Sequence, residues 1–323
     1  MGEAGAVARV GPAAEGAAGD ARLHESLTAD FGYYLDGVQV LANVHSAYQH
    51  IQILRSATFG TVLRLDGALQ CSERDEFFYH EPLVHMALAH SHGARRVLVV
   101  GGGDGGAAEE VLKWPGVQRV DHVEIDAAVL RLCAQYLGVV HRGVLGGVDP
   151  RYHQHVCDGA AWVDAAVRQS ITCDAVVLDL TDAGGPSSAL YGTNFYRQCA
   201  RLLTPNGVLT LHIAAPWAQQ ALCVATVASL RMAFGSVEPF VVSVPMSGGQ
   251  WLMAACHNRP GLLSQTHDDL AAPLALLRAP RLQVVDAQSL AAMLHLPPYL
   301  AAALQADVPS PNASGPHAQA HAV

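Results

Sequence analysis

Residues 97–114 read VLVVGGGDGGAAEEVLKW, and this stretch decides the fold. Val97 to Val100 form an unbroken apolar run, as expected of a strand buried on both faces. Five glycines follow within six residues, interrupted only by Asp104. From Ala107 the pattern becomes helical, with Glu109 and Glu110 early, where the helix dipole favours acids. A strand, a glycine turn and a helix N-terminus together commonly cradle a nucleotide. The carboxylate in the middle of the turn is what needs explaining.

Outward from this unit, strand and helix patterns alternate. RVDHVEI and the helix AAVLRLCAQYL follow, then HQHVC and AAWVDAAVRQ, CDAVVLDL and TNFYRQCARLL, and GVLTLHI with a helix over about 217–234. VEPFVVSVP and QWLMAACH read as two last β runs. Such alternation predicts an α/β protein with an open parallel sheet wrapped by helices, whose ligands lie beyond the carboxyl ends of the strands. Upstream, YQHIQILRS, GTVLRLDG and ALQCSE are short β-rich runs separated by Gly or Asp-Gly turns, which predict a small N-terminal β-hairpin domain. DEFFYHEPLVHMALAH has helical spacing and bridges into the main body. The expected division is an Ala/Gly-rich disordered tail over 1–24, the β domain over 25–80, the catalytic body over 81–305 and a disordered tail over 306–323.

The chain has 323 residues, 51% of them hydrophobic, and a formal charge of −9, which argues against a nucleic-acid binder and agrees with a cationic ligand. Seven cysteines are scattered without CxxC or zinc spacing, as expected of reduced, mostly buried thiols in a cytoplasmic protein. The 17 histidines form no HExxH pattern, and HSH at 90–92 reads as a solvated loop. The start lacks the pattern of a signal peptide and Ala6 breaks the myristoylation pattern. No apolar stretch is long enough to span a membrane. No metal is expected.

Gly101, Gly103 and Gly106 satisfy GxGxxG, and Glu124 follows 18 residues later at the end of the next strand, so an NAD enzyme is a rival reading. Asp104 weighs against it, because two unit charges about 4 Å apart interact by roughly 4 kcal/mol at an effective dielectric of about 20, and a pyrophosphate would meet that as repulsion. A nucleoside carrying positive charge, such as an S-adenosyl compound, would be attracted instead. Four acids fall at or just after the ends of four successive strands: Asp104, Glu124, Asp158 and Asp179. Glu124 can accept from ribose hydroxyls and Asp158 from the adenine amine. Such an acidic site suits a polyamine. Freeing an alkyl amine's lone pair at neutral pH costs roughly 4–5 kcal/mol, and a carboxylate placed beside the nitrogen can take that proton as a new bond forms. A sulfonium leaves as a neutral thioether, so the chemistry requires no metal.

The motifs YQHIQI, LRLDGALQCSERDEFFYHE, VLVVGGGDGGAAEEVLK, VEID, CDG and VVLDLTDAGGP, in this order from Tyr48 to Pro186, resemble the spermidine synthase (polyamine aminopropyltransferase) family. A weaker likeness continues to about Leu300. This likeness implies that the α/β sheet is Rossmann-like and of the methyltransferase type. The resemblance implies transfer of an aminopropyl group from decarboxylated S-adenosylmethionine, a co-substrate rather than a cofactor, to putrescine, giving spermidine and methylthioadenosine. It implies that Asp179 is the proton acceptor, with Tyr79 aiding orientation. Gln49, Asp104, Glu124, Asp158, Gly159 and Pro186 would bind the donor nucleoside, and Asp104 would also hold the aminopropyl ammonium. His80 and Asp182 would help hold the polyamine, with the loop from Asp182 to Tyr191 closing over the site. A homodimer or homotetramer is implied. The chain departs from the family pattern at Leu180 and Ala183 in the loop, at His212, expected just after the fifth strand where a glutamine is usual, and at Val244 where a tyrosine precedes a proline. The last two leave the acceptor open: putrescine, agmatine, cadaverine or spermidine. A methyltransferase and a non-catalytic polyamine or nucleoside binder remain as alternatives.

Overall fold

The computed structural model describes residues 22–305, apart from 92, 183–184, 261–266 and 278–281. The C-terminal tail and all but the last residues of the N-terminal tail therefore lie outside the described residues. Strands β1 (Leu23–Ser26) and β2 (Gly32–Leu35) pair antiparallel as a separate ribbon. Leu23 and His24, expected in the tail, belong to β1, where they face Leu35 and Tyr34. Strands β3 (Gln39–His45), β4 (His50–Ser56), β5 (Gly60–Leu65) and β6 (Ala68–Ser72) form a four-stranded antiparallel meander. Asp66 and Gly67 join β5 to β6 with φ of 47° and 89°, the double positive-φ turn that matches strand twist.

Helix α1 (Phe77–His90) follows and packs on the main body, so the expected boundary at residue 80 cuts a helix that belongs to the body. Its last residue, His90, is buried with Nδ1 2.7 Å from the Met86 carbonyl, not in a solvated loop. His92 lies outside the described residues. The body then runs β7 (Arg96–Gly101), α2 (Gly106–Leu112), β8 (Arg119–Glu124), α3 (Ala127–Tyr136), α4 (Gly138–His141), β9 (Tyr152–Val156), α5 (Gly159–Arg168), β10 (Cys173–Asp179), α6 (Thr193–Leu202), β11 (Leu203–Ala214), α7 (Gln220–Arg231), β12 (Ser236–Val244) and β13 (Gly249–His257). Helices α8 (His267–Leu274), α9 (Ala287–Met293) and α10 (Pro298–Gln305) complete the described chain. No helix among the described residues is long and apolar enough to cross a membrane.

The seven strands β7 to β13 form one sheet, in the order β12-β13-β11-β10-β7-β8-β9. Strands β7 to β11 are parallel, but β13 runs antiparallel to both β11 and β12, so the expected parallel sheet is a mixed one. The reason lies in the connection. Only a short turn separates β12 from β13, whereas a parallel pair needs a crossover of a dozen or more residues. Alternation along β7 divides the two cores: Val97 and Val99 join the layer under α1 and α2, and Leu98 and Val100 join the layer under α5, α6 and α7. A third cluster packs Ile51, Ile53 and Leu63 of the meander against Leu132, Cys133 and Leu137 around α3. The chain leaves β7 toward β8 and β9 on one side and returns to β10 on the other, so the crevice at the carboxyl edge opens between β7 and β10.

A long-range tie fixes the segment before α9. Glu81, buried in α1, accepts backbone N–H bonds from Gln283, Val284 and Val285 at 2.8, 2.8 and 3.0 Å. Glu81→Ala strands these donors, so it should lower unfolding stability by about 3 kcal/mol in urea titration. A loss below about 1 kcal/mol would show that water replaces the carboxylate.

Candidate active site

The glycine turn comes so close to the end of β10 that side chains are excluded. Gly101 and Gly102 have φ of 78° and 67°, and a Cβ on Gly101 would lie 2.1 Å from the Asp179 carbonyl. The Gly102 N–H donates to that carbonyl at 2.6 Å. Asp104 bends back to accept from the Gly106 N–H at 2.7 Å, and it is 7% exposed, not a solvated turn residue. His122, on β8, lies 2.7 Å through Nε2 from the Gly101 carbonyl and steadies the turn from below.

These approaches shape a cleft at the sheet edge. Gln49, Tyr79, His80, Asp104, Glu124, Asp158, Gly159, Asp179, Asp182 and Pro186 all line it. Eight carboxylates face it: Glu25, Asp75, Glu76, Asp104, Glu124, Asp158, Asp179 and Asp182. No lysine or arginine does, among the described residues.

On one side, Asp126 caps α3 by accepting from the Ala128 N–H. Its other oxygen accepts from Ser46 Oγ at 2.6 Å and from Gln49 Nε2 at 3.1 Å, which fixes Gln49 and frees its carbonyl oxygen. Glu124 Oε1 accepts from the Asp126 N–H at 2.8 Å. Burial pushes the Glu124 carboxyl up to about 7, against the pull of that bond. Asp158 uses one oxygen to cap α5 at the Ala161 N–H and keeps the other. A Cβ on Gly159 would meet Val100 at 2.7 Å, so only glycine admits this close packing.

On the other side, Tyr79 Oη donates to Asp179 Oδ1 at 2.8 Å. Its single hydrogen is then committed, so His212 Nδ1, also 2.8 Å away, carries the hydrogen of that contact. His212 is inside β11, not beyond it, and its Nε2 lies 3.3 Å from Tyr191 Oη and 3.8 Å from Asp182 Oδ1. Burial and then the charge of Asp104 raise the Asp179 carboxyl, while His80 and Tyr79 act against them. Asp179 Oδ2 has no hydrogen-bond partner among the described residues.

His80, expected to help hold the polyamine, lines the cleft. It is 1% exposed, with Nδ1 2.8 Å from Glu76 Oε2 and Nε2 3.4 Å from Asp104 and 3.8 Å from Asp179. Burial would lower its pKa, but Asp104 and Glu76, with Asp179, outweigh that and raise it to about 10. His80 thereby ties together three of the carboxylates that face the cleft. Sequence reading missed Glu76, although its position four residues before His80 on one helix face was a usable signal. It also missed Glu25, whose oxygens accept from Tyr33 Oη at 2.8 Å and the Leu69 N–H at 2.6 Å. Val244 and Trp251 line the cleft beside His212.

Fold and site define the class: an α/β protein of the methyltransferase type whose sheet edge carries an acid-lined crevice with a glycine turn at its base. Residues 76–264 match the family model of the spermine/spermidine synthase domain, and residues 24–73 that of the spermidine synthase tetramerisation domain. The chain is 42% identical over 277 residues to a polyamine aminopropyltransferase of Nitrosomonas europaea, covering 85% of this chain and 83% of that one. It is 36% identical over 250 residues to a polyamine aminopropyltransferase of Sodalis glossinidius, covering 77% and 85%. A solved spermidine synthase in complex with the transition state analogue AdoDATO superposes with a TM-score of 0.81 at 24% identity, covering 88% of this chain and 94% of that one. Spermidine synthase from Thermotoga maritima superposes with a TM-score of 0.80 at the same identity and coverage. The chain belongs to the spermine/spermidine synthase family and is an enzyme of the aminopropyltransferase class.

Proposed function

We propose that this enzyme moves the aminopropyl group of decarboxylated S-adenosylmethionine to putrescine, giving spermidine and methylthioadenosine. The observation that carries the reading is the gathering of Asp104, Glu124, Asp158, Asp179 and Asp182 on one cleft without a lysine or arginine among the described residues. In this reading Glu124 accepts from the ribose hydroxyls, and Gln49 is held by Asp126 to reach the same nucleoside. The free oxygen of Asp158 takes the adenine amine, with Gly159 and Pro186 along the base. Asp104 holds the aminopropyl ammonium.

The acceptor enters on the side of Asp179, Tyr79 and Asp182. Its neutral nitrogen attacks the methylene carbon next to the sulfonium. The carbon–sulfur bond breaks with its electrons going to sulfur, and Asp179 takes the nitrogen's proton. The leaving group is a neutral thioether, so the step calls for no cofactor. Alignment of nitrogen, carbon and sulfur by the two subsites supplies much of the rate. His80 keeps Asp104 and Asp179 in place as an internal counter-ion. Asp182, with Glu25, is the anchor for the distal ammonium. The protein works as a homodimer or homotetramer in the cytoplasm, the meander being the assembly segment.

Incubating the enzyme and the donor with putrescine, cadaverine, agmatine and spermidine, and identifying products by mass spectrometry, tests the acceptor. Spermidine from putrescine with the highest kcat/KM is expected; equal or better turnover of agmatine would displace putrescine. Transfer of a labelled methyl group instead would replace the reaction class.

The Glu124 carboxyl gives a pH test. Only the ionised form accepts from both ribose hydroxyls. With its pKa at about 7, methylthioadenosine affinity should rise by about tenfold from pH 6 to pH 8 and flatten in Glu124→Gln. The same upward shift means that the ligand-free fold holds this proton more tightly than the unfolded chain, so this group's contribution to stability falls as pH rises from about 4.5 to about 7. A pH-independent affinity in calorimetric titration would remove Glu124 from the ribose.

A further inference from the structure

Cys71, at the end of β6, lines the cleft and has no part in the proposed transfer. It is 4% exposed, and its sulfur, one ring nitrogen of His80 and one carboxylate oxygen of Asp104 all lie within 4.8 Å of one another. Among the described residues this is the one group of three such donors that could hold a metal ion. Three further observations turn that proximity into a site.

First, His80 Nε2 and Asp104 Oδ1 are 3.4 Å apart. Around a tetrahedral ion with bonds of about 2.0–2.3 Å, neighbouring donors sit roughly 3.3–3.7 Å apart, so this edge already has its length and the sulfur has about 1 Å to close. Second, Nδ1 of His80 is engaged by Glu76 at 2.8 Å, the carboxylate–histidine support that orients a metal-binding imidazole. Third, all three residues line the cleft, which gives an ion an entry path.

The geometry points to Cys71, His80 and Asp104 as a binding site for a thiophilic divalent cation of the zinc type, which occupies the place of the donor's ammonium and so shuts the enzyme off. Loading releases two protons, one from the thiol and one from the imidazolium. The ion's two positive charges are then matched by the thiolate and the Asp104 carboxylate, with neutral His80 as third ligand. A hard cation such as magnesium finds a sulfur and a nitrogen where it needs oxygens, and is refused. The inhibitory part of this inference rests on the reading of Asp104 given above; the binding part does not.

The test is therefore calorimetric titration of the intact enzyme with zinc chloride in a non-chelating buffer, alongside zinc inhibition of turnover. One zinc per chain is expected, with magnesium inert at the same concentration. Cys71→Ser, and Cys71→Ala should the serine variant melt early, should weaken zinc binding at least 100-fold while kcat and both KM values stay within twofold. Cys157→Ser, which removes a thiol outside the cleft, should change nothing. Zinc should bind in the presence of methylthioadenosine, which lacks the aminopropyl arm, but be excluded by the decarboxylated donor. Zinc binding that survives both Cys71 variants, or that disappears with Cys157→Ser, would overturn the site. Cys71-dependent binding that the donor does not exclude keeps the metal site and overturns the ammonium position.

Discussion

Asp179→Asn is expected to lower kcat by about 10³-fold while leaving affinity for methylthioadenosine within about twofold. The asparagine keeps an oxygen to accept from Tyr79 Oη, which Asp179 receives at 2.8 Å. What it loses is the capacity to take a proton. Oδ2, which has no hydrogen-bond partner among the described residues, is the position that this substitution turns into an amide donor. Amide and amine then meet as two donors, and the proton has no acceptor at that position. Glu124 and Asp158, on the nucleoside side, are untouched. Steady-state kinetics with calorimetric binding of methylthioadenosine separate the two effects. Turnover within tenfold of wild type would move the base elsewhere, and a parallel loss of nucleoside binding would show that Asp179 acts by holding the turn.

The second large effect belongs to Asp104. Asparagine is the informative replacement because it can still accept from the Gly106 N–H, the 2.7 Å bond that closes the turn. Charge alone is removed. A charge-assisted hydrogen bond contributes about 1.5–3 kcal/mol, so affinity for the decarboxylated donor should fall by roughly 10–150-fold. Ordinary S-adenosylmethionine carries a carboxylate that Asp104 repels, so its affinity should hold or rise. The ratio of the two affinities should shrink by about 100-fold. An unchanged ratio would assign the discrimination to another group, and Glu76 and Asp179, which share His80 with Asp104, would be next to examine.

Much of this was legible in the sequence because it was local. The run from Val97 through the glycines, and the acids just past the strand ends, depend only on strand period and on where strands stop. What failed was non-local. Apolar patterning reports burial and not direction, so the reversal of β13 against β11 had to come from its short turn to β12. His90 read as solvated because HSH is polar, yet the helix carries it into the core. The carboxylates around His80 come from three separate stretches of chain, and only Glu76, four positions before it, left a local signal. Cys71 gave no signal, since its partners stand nine and 33 positions away.

The cleft is shared between two stretches of chain. Gln49, Leu69 and Cys71 come from the meander, and the carboxylates of the strand ends come from the body. The join is visible in the bonds from Ser46 and Gln49 to Asp126, and from the Met246 N–H to Asp75. Catalysis therefore has a weaker link than folding does. A lesion at this seam should spoil alignment at temperatures where both halves remain intact, and heat inactivation should run ahead of melting.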